Sequence, residues 1–194
     1  MKTIFLLIFM LSFSLISNDK YTDSLKALED LQNRELASEL RVKALFKIDE
    51  NKYLDEDFLQ VFSEILTTKA SKDLQSSVIW VLGNFLISDN KIIISDDLIN
   101  IFKNNLQDLD YSVQLASARI LLLLNKHTVL AVEVLFDFLI NDIEPYRDFA
   151  AKTLIMEINE HNVYDLFTIL TKYLKRSNKA ASAVAEIILL KFKR

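Results

Sequence analysis

His127 and His161 are the chain's two histidines, and an imidazole can act as a general base or a metal ligand. They stand at the same place in two similar stretches of sequence, Asn125-Lys-His-Thr-Val129 and Asn159-Glu-His-Asn-Val163. Equivalent positions on neighbouring packed helices lie roughly 8–10 Å apart, too far for shared ligation through metal bonds of about 2 Å. No third ligand stands at a useful spacing, so the pair reads as a helix-start residue copied by duplication. Asp55-Glu56-Asp57, Asp96-Asp97 and Asp108 with Asp110 could do acid–base work if held across a cleft. They fall instead at helix starts and turns, where capping and the helix dipole account for them. No Gly or twelfth-position Glu follows to make a calcium loop. Ser76-Ser77 lies inside a helical pattern without a nucleophile elbow. The chain has no Cys, which removes thiolate catalysis, disulfides and zinc–thiolate sites together. Its one glycine, Gly83, cannot make a phosphate-binding loop. No catalytic residue, metal or cofactor is expected.

The elements that would position any site are helices. One Gly and one Pro in 194 residues leave too few corners for hairpins, barrels or sandwiches. With 51% hydrophobic and 26% charged residues the chain is globular, with enough apolar surface for a sizeable core. Lys and Arg number 23 against 27 Asp and Glu, a net charge of −4, which argues against a nucleic-acid partner.

Met1-Lys2-Thr3 is a short positive start, followed by an apolar run from Ile4 to Ile16. That run falls short of the roughly 20 residues that span a bilayer, and it fits the core of a signal peptide. Ser12-Phe13-Ser14 offers a small-x-small cleavage signal and Leu15-Ile16-Ser17 a poorer one. The expectation is a signal peptide over 1–17 and an exported, bacterial, periplasmic protein. An uncleaved segment would be its one route to a membrane.

From Asn18 onward the sequence repeats, and residues 18–194 read as a single domain. Similar nine-residue stretches start at Leu74, Val113, Tyr146 and Ala180, a near-constant period, with an earlier copy starting at Leu40. Each has apolar or small residues at its positions 1, 5 and 9, one face of a helix. Leu54-Asp-Glu-Asp-Phe58 matches Ile94-Ser-Asp-Asp-Leu98, with Asp55 and Ser95 placed as N-caps. Asn51, Asn90, Asn125 and Asn159 each follow a second helix, where Asn tolerates the left-handed backbone that usually takes Gly. The pattern predicts helices at 20–32 and 34–48, 55–68 and 71–88, 95–107 and 110–124, 127–141 and 144–158, and 161–176 and 178–193. Pro145 falls in a first turn, where its missing N–H costs little.

Tyr146-Arg-Asp-Phe-Ala-Ala-Lys-Thr-Leu154, Asp110-Tyr-Ser-Val113 and Val81-Leu-Gly83 resemble the second-helix pattern of the HEAT repeat family in its short form. The resemblance covers about residues 19–193 as five units and implies an all-α, right-handed α-solenoid behind the signal segment. In such solenoids the second helices line the concave face. On those helices positions 2 and 7 lie towards the outside. Position 2 holds Gln75, Gln114, Arg147 and Ala181, and position 7 holds Trp80, Arg119, Lys152 and Glu186. Gln75, Trp80, Gln114, Arg119, Arg147 and Lys152 are therefore the candidate partner-binding residues.

The function expected is a non-enzymatic scaffold or adaptor for a protein or peptide in the cell envelope. The alternative is a subunit of a lyase-like or cofactor-handling enzyme, which the resemblance suggests without transferring any catalytic residue. The last helix is apolar on every side through Ile187-Ile-Leu-Leu190. A terminal repeat normally presents a polar outer face. This end, with Leu189 as its marker, is expected to dock on a second copy, a partner or the N-terminal segment.

Overall fold

A computed structural model describes residues 20–51, 54–68, 70–88 and 92–193. The expected signal segment, its cleavage signals, Asn90 and Arg194 lie outside these residues. Among the described residues the protein is all-α, with ten helices and no strand. They are α1 (20–32), α2 (Ser38–Asn51), α3 (Glu56–Thr67), α4 (Lys72–Ser88), α5 (Asp96–Asn105), α6 (Tyr111–Leu123), α7 (Thr128–Ile140), α8 (Tyr146–Glu157), α9 (Val163–Leu174) and α10 (Lys179–Lys191). No described helix is long and apolar enough to cross a membrane.

The helix boundaries follow local chemistry. Asp55 accepts from the backbone N–H groups of Asp57 and Phe58, and Ser95 accepts from Leu98 N–H, as the N-cap pattern predicts. Asp110 and Asn178 cap α6 and α10 in the same way. The second helix starts at Ser38 rather than near 34, because Asn33 closes a turn by accepting from the Glu35 N–H at 3.0 Å. Pro145 is the N-cap residue of α8, one position before its first turn. The asparagines divide. Asn125 has φ 52° and takes the left-handed role expected of it, as do His127 and Asp142. Asn51 is the last helical residue of α2. Asn159 has no positive φ and holds its turn through side-chain bonds, accepting from His161 N–H and donating to Glu157 O.

The chain divides into two compact units between Val81 and Leu82. In the first, α1 and α2 run antiparallel. Asp23 pairs with Lys47 at 3.2 Å, Asn51 donates to the buried Ser24 hydroxyl at 3.0 Å, and Arg41 donates to Leu31 O at 2.8 Å. Leu31, Leu45 and Ile48 fill the space between them, and Phe58, Phe62, Leu74 and Ile79 continue the core of this unit.

In the second unit each first helix packs on the second helix of its pair: α5 on α6, α7 on α8 and α9 on α10. The second helices α6, α8 and α10 also pack in series, and so do α7 and α9. Every residue of α6 from Leu115 to Leu122 is buried, among them the Ser117 hydroxyl, which has no hydrogen-bond partner. Of the expected buried positions 1, 5 and 9, positions 5 and 9 of each second helix in this unit are buried: Ser117 and Leu121, Ala150 and Leu154, Val184 and Ile188. Position 1 is buried at Val113, half-buried at Tyr146 and exposed at Ala180, where the helix is only beginning. Phe136 of α7 stacks on Tyr173 of α9 with ring centroids 3.9 Å apart and planes at 11°, which ties consecutive first helices together.

Burial, with the nearby Asp137 carboxylate, raises the Tyr173 phenol above its ordinary pKa. The folded state therefore holds this proton more tightly than the unfolded state does. Its contribution is complete below about pH 10 and is lost as pH rises through the folded value. Chemical denaturation should show stability falling above about pH 10, and Tyr173→Phe should flatten that limb. An unchanged alkaline slope in the variant would show that other groups cause the loss.

Candidate functional site

The position-2 side chains were expected to face outward, and the structure corrects this for Gln75 while leaving Gln114 and Arg147 partly exposed. Gln75 is buried: its Nε2 donates to Thr68 O at 3.2 Å, and its Oε1 accepts from Lys72 Nζ. Gln114 is half-buried and donates to Asp108 O in the turn before its own helix. Arg147 reaches back to Asp142 and Glu144 in the preceding turn and sideways to Asp148. Asp142 first, then Asp148, raise its guanidinium above its ordinary pKa. The last helix has Ala181 at this position, and the next residue, Ser182, takes over by donating to Leu174 O at 2.9 Å. One cause runs through all four. Gln75, Gln114 and Ser182 are the fourth residues of α4, α6 and α10, and Arg147 is the second of α8. Each stands in a first turn, from which a donor can satisfy a carbonyl or carboxylate of the segment that delivered the helix.

Position 7 is heterogeneous. Trp80 is half-buried in the first unit, whereas Lys152 and Glu186 are exposed in the second. Arg119 is buried, contrary to the outward placement expected of it. Its Nε donates to Glu157 Oε1 at 3.1 Å, and Nη1 and Nη2 both reach Asn84 Oδ1 at 3.3 Å. Asn84 lies on the last turns of α4 and Glu157 at the end of α8, so one guanidinium joins three successive second helices. The ion pair is nearly dry, its side chains 9% and 11% exposed. Removing one partner of such a pair leaves an uncompensated charge, a loss of about 3–5 kcal/mol.

Gly83 makes room for that guanidinium. A Cβ built there would stand 3.0 Å from Arg119 Nη1 and 3.4 Å from Leu123 Cδ1. The chain's single glycine thus sits in a helix interior, where it costs about 1 kcal/mol against Ala, because a charged side chain passes against it.

The histidines separate. His127 is the left-handed N-cap residue of α7, and His161 is exposed in the turn before α9. Among the described residues no group of three or more His, Cys, Asp or Glu could hold a metal ion. Leu189 is half-buried, between the buried Ile188 and the exposed Leu190. Lys191 donates to Ile155 O and Ile158 O at 3.0 Å and so caps α8.

Sequence reasoning passed over an exposed stripe on α8 and α10. Phe149, Lys152 and Met156 lie along one side of α8, and Ala183, Glu186 and Leu190 occupy the equivalent positions of α10. All six are exposed, with Phe149 at 51%, Met156 at 61% and Leu190 at 57%. The signal was available: an apolar residue three before position 7 and another four after it, outside the buried face.

The clamp makes a separable prediction. Gly83→Ala should destabilise the protein despite its gain in helix propensity, because Arg119 must shift. In an Arg119→Ala background the same change should stabilise by about 1 kcal/mol. Urea denaturation of the four proteins measures the coupling, and equal effects in both backgrounds would rule out the contact. No protein-family model matches the chain, and no curated protein shows significant similarity to it.

Proposed function

We propose that this chain is a HEAT-like repeat scaffold, a right-handed solenoid that follows an N-terminal export signal and holds a protein or peptide partner in the bacterial cell envelope. The observation that carries the reading is the repeated surface of the second unit. Two consecutive second helices expose the same three positions, 149, 152 and 156 on α8 and 183, 186 and 190 on α10. Exposed positions that recur at a fixed period on one face can form a continuous binding strip, which is how stacked repeats recognise extended partners. The series packing of α6, α8 and α10 supports a stack of such pairs. Export rests on the apolar run from Ile4 to Ile16 behind Lys2.

Two measurements test it. Mass spectrometry of the protein from cells should find a new N-terminus just after residue 14 or 17; a chain that keeps Met1 in the cytoplasmic fraction would remove the export half of the reading. Affinity capture from envelope extract should recover a stoichiometric partner under at least one extraction condition. Recovery of nothing across several conditions would remove the scaffold half.

A further inference from the structure

The last helix pair ends in two different ways. Along α7, Ala131 and Phe138 are buried and Val134 half-buried, at i, i+3 and i+7. At the equivalent positions of the next first helix, α9 carries Asp165, Thr168 and Lys172, all exposed. The stripe that is apolar in one first helix is polar in the next. A polar outer face is what a terminal repeat needs when no further repeat stacks on it. End-to-end stacking of a second copy would bury Asp165 and Lys172 and strip them of water. That weighs against the docking at this end expected from Ile187 to Leu190.

Ile187, 47% exposed, has the buried Thr153 as its α8 counterpart and stays at this end, whereas Leu190 of α10 belongs with the exposed side chains of α8. The two helices pack together, and Leu190 is the counterpart of Met156 as Ala183 is of Phe149. The two packed helices expose equivalent positions, and side chains of two neighbouring ridges can seat a third helix laid along them. Three large side chains that are half exposed offer roughly 300 Å² of apolar surface. A stable pair of globular partners needs about 800 Å² from each. The area fits one amphipathic helix better than a second copy of this chain. Charge narrows the occupant further. Lys152 lies between Phe149 and Met156, and Glu186 between Ala183 and Leu190. Among the described residues neither Lys152 nor Glu186 has an ion-pair partner.

We infer that the α8–α10 face holds an amphipathic helix of a partner protein, whose apolar stripe enters between Met156 and Leu190 and whose two flanks bring a carboxylate to Lys152 and a cation to Glu186. The inference rests on the scaffold reading and names the partner's chemistry. It asks for mixed flanks, acidic on one side and basic on the other, because the face itself carries one charge of each sign.

The test uses two synthetic helical peptides of about four turns with the same leucine stripe. One has a glutamate flank and a lysine flank; the other has lysine on both. Fluorescence anisotropy against the whole protein should show saturable binding, with the mixed-flank peptide about fivefold tighter or more. Lys152→Glu should reverse that preference, since both charged positions are then acidic. Met156→Ser with Leu190→Ser should weaken both peptides at least about tenfold while circular dichroism stays unchanged. Should the serine variant unfold, the reversal in Lys152→Glu still decides. Saturation by neither peptide, or binding indifferent to both variants, overturns the inference. If wild type and the serine variant capture the same partner from extract, the scaffold stands and this face is not its site. If extract yields nothing while the peptides behave as described, the face stands as a helix-binding surface and the scaffold reading falls.

Discussion

A charge buried in an all-helical protein constrains everything around it, and here that charge is Arg119. A guanidinium removed from water must find acceptors in the directions its planar fork dictates. Glu157 supplies one and Asn84 another, on helices before and after its own. The spacing of α6, α8 and the last turns of α4 is therefore set by polar geometry as well as by apolar filling. Apolar side chains accept many relative placements at modest cost, whereas a dry ion pair accepts few. Gly83 and the buried length of α6 are adjustments to that requirement.

A second, smaller device recurs at the starts of α4, α6, α8 and α10. Gln75, Gln114, Arg147 and Ser182 differ in type, yet each ties the opening of its helix to the turn before it. With one glycine and one proline, this chain shapes several of its turns by side-chain hydrogen bonds, beside the left-handed backbone of Asn125, His127 and Asp142. Asn33, Asn159 and Asn162 do the same work elsewhere, and Asn162 is buried while donating to Asn125 Oδ1 at 2.9 Å.

The helices were legible because they depend on a local period. Apolar or small residues at positions 5 and 9 mark the buried face of each second helix in the second unit, and Asp55 and Ser95 announce their helix starts directly. The site was less legible because facing outward was inferred from helical angle alone. An angle states where a side chain begins and says nothing of what it reaches. Gln75 begins outward and folds back to Thr68, and Arg119 begins at the position of the exposed Lys152 yet ends between two neighbouring helices. Long polar side chains carry several rotatable bonds, and the acceptors that fix Arg119 stand on other helices, far along the chain. The α8 part of the exposed apolar stripe went unread for the opposite reason: Phe149 and Met156 are residues that composition assigns to a core.

The central clamp also bears on how such a chain can change its length through duplication. Copying a helix pair is harmless only where neighbouring pairs are interchangeable. It is not harmless around α6. A copied neighbour would bring Lys152 or Glu186 into the position of Arg119, leaving Glu157 facing no guanidinium and Gly83 facing a gap. Units on either side of the clamp are thus keyed to it, while those beyond it are not. Insertions and losses would be absorbed at the C-terminal side of α8, and the number of units from α4 to α8 would stay constant among descendants.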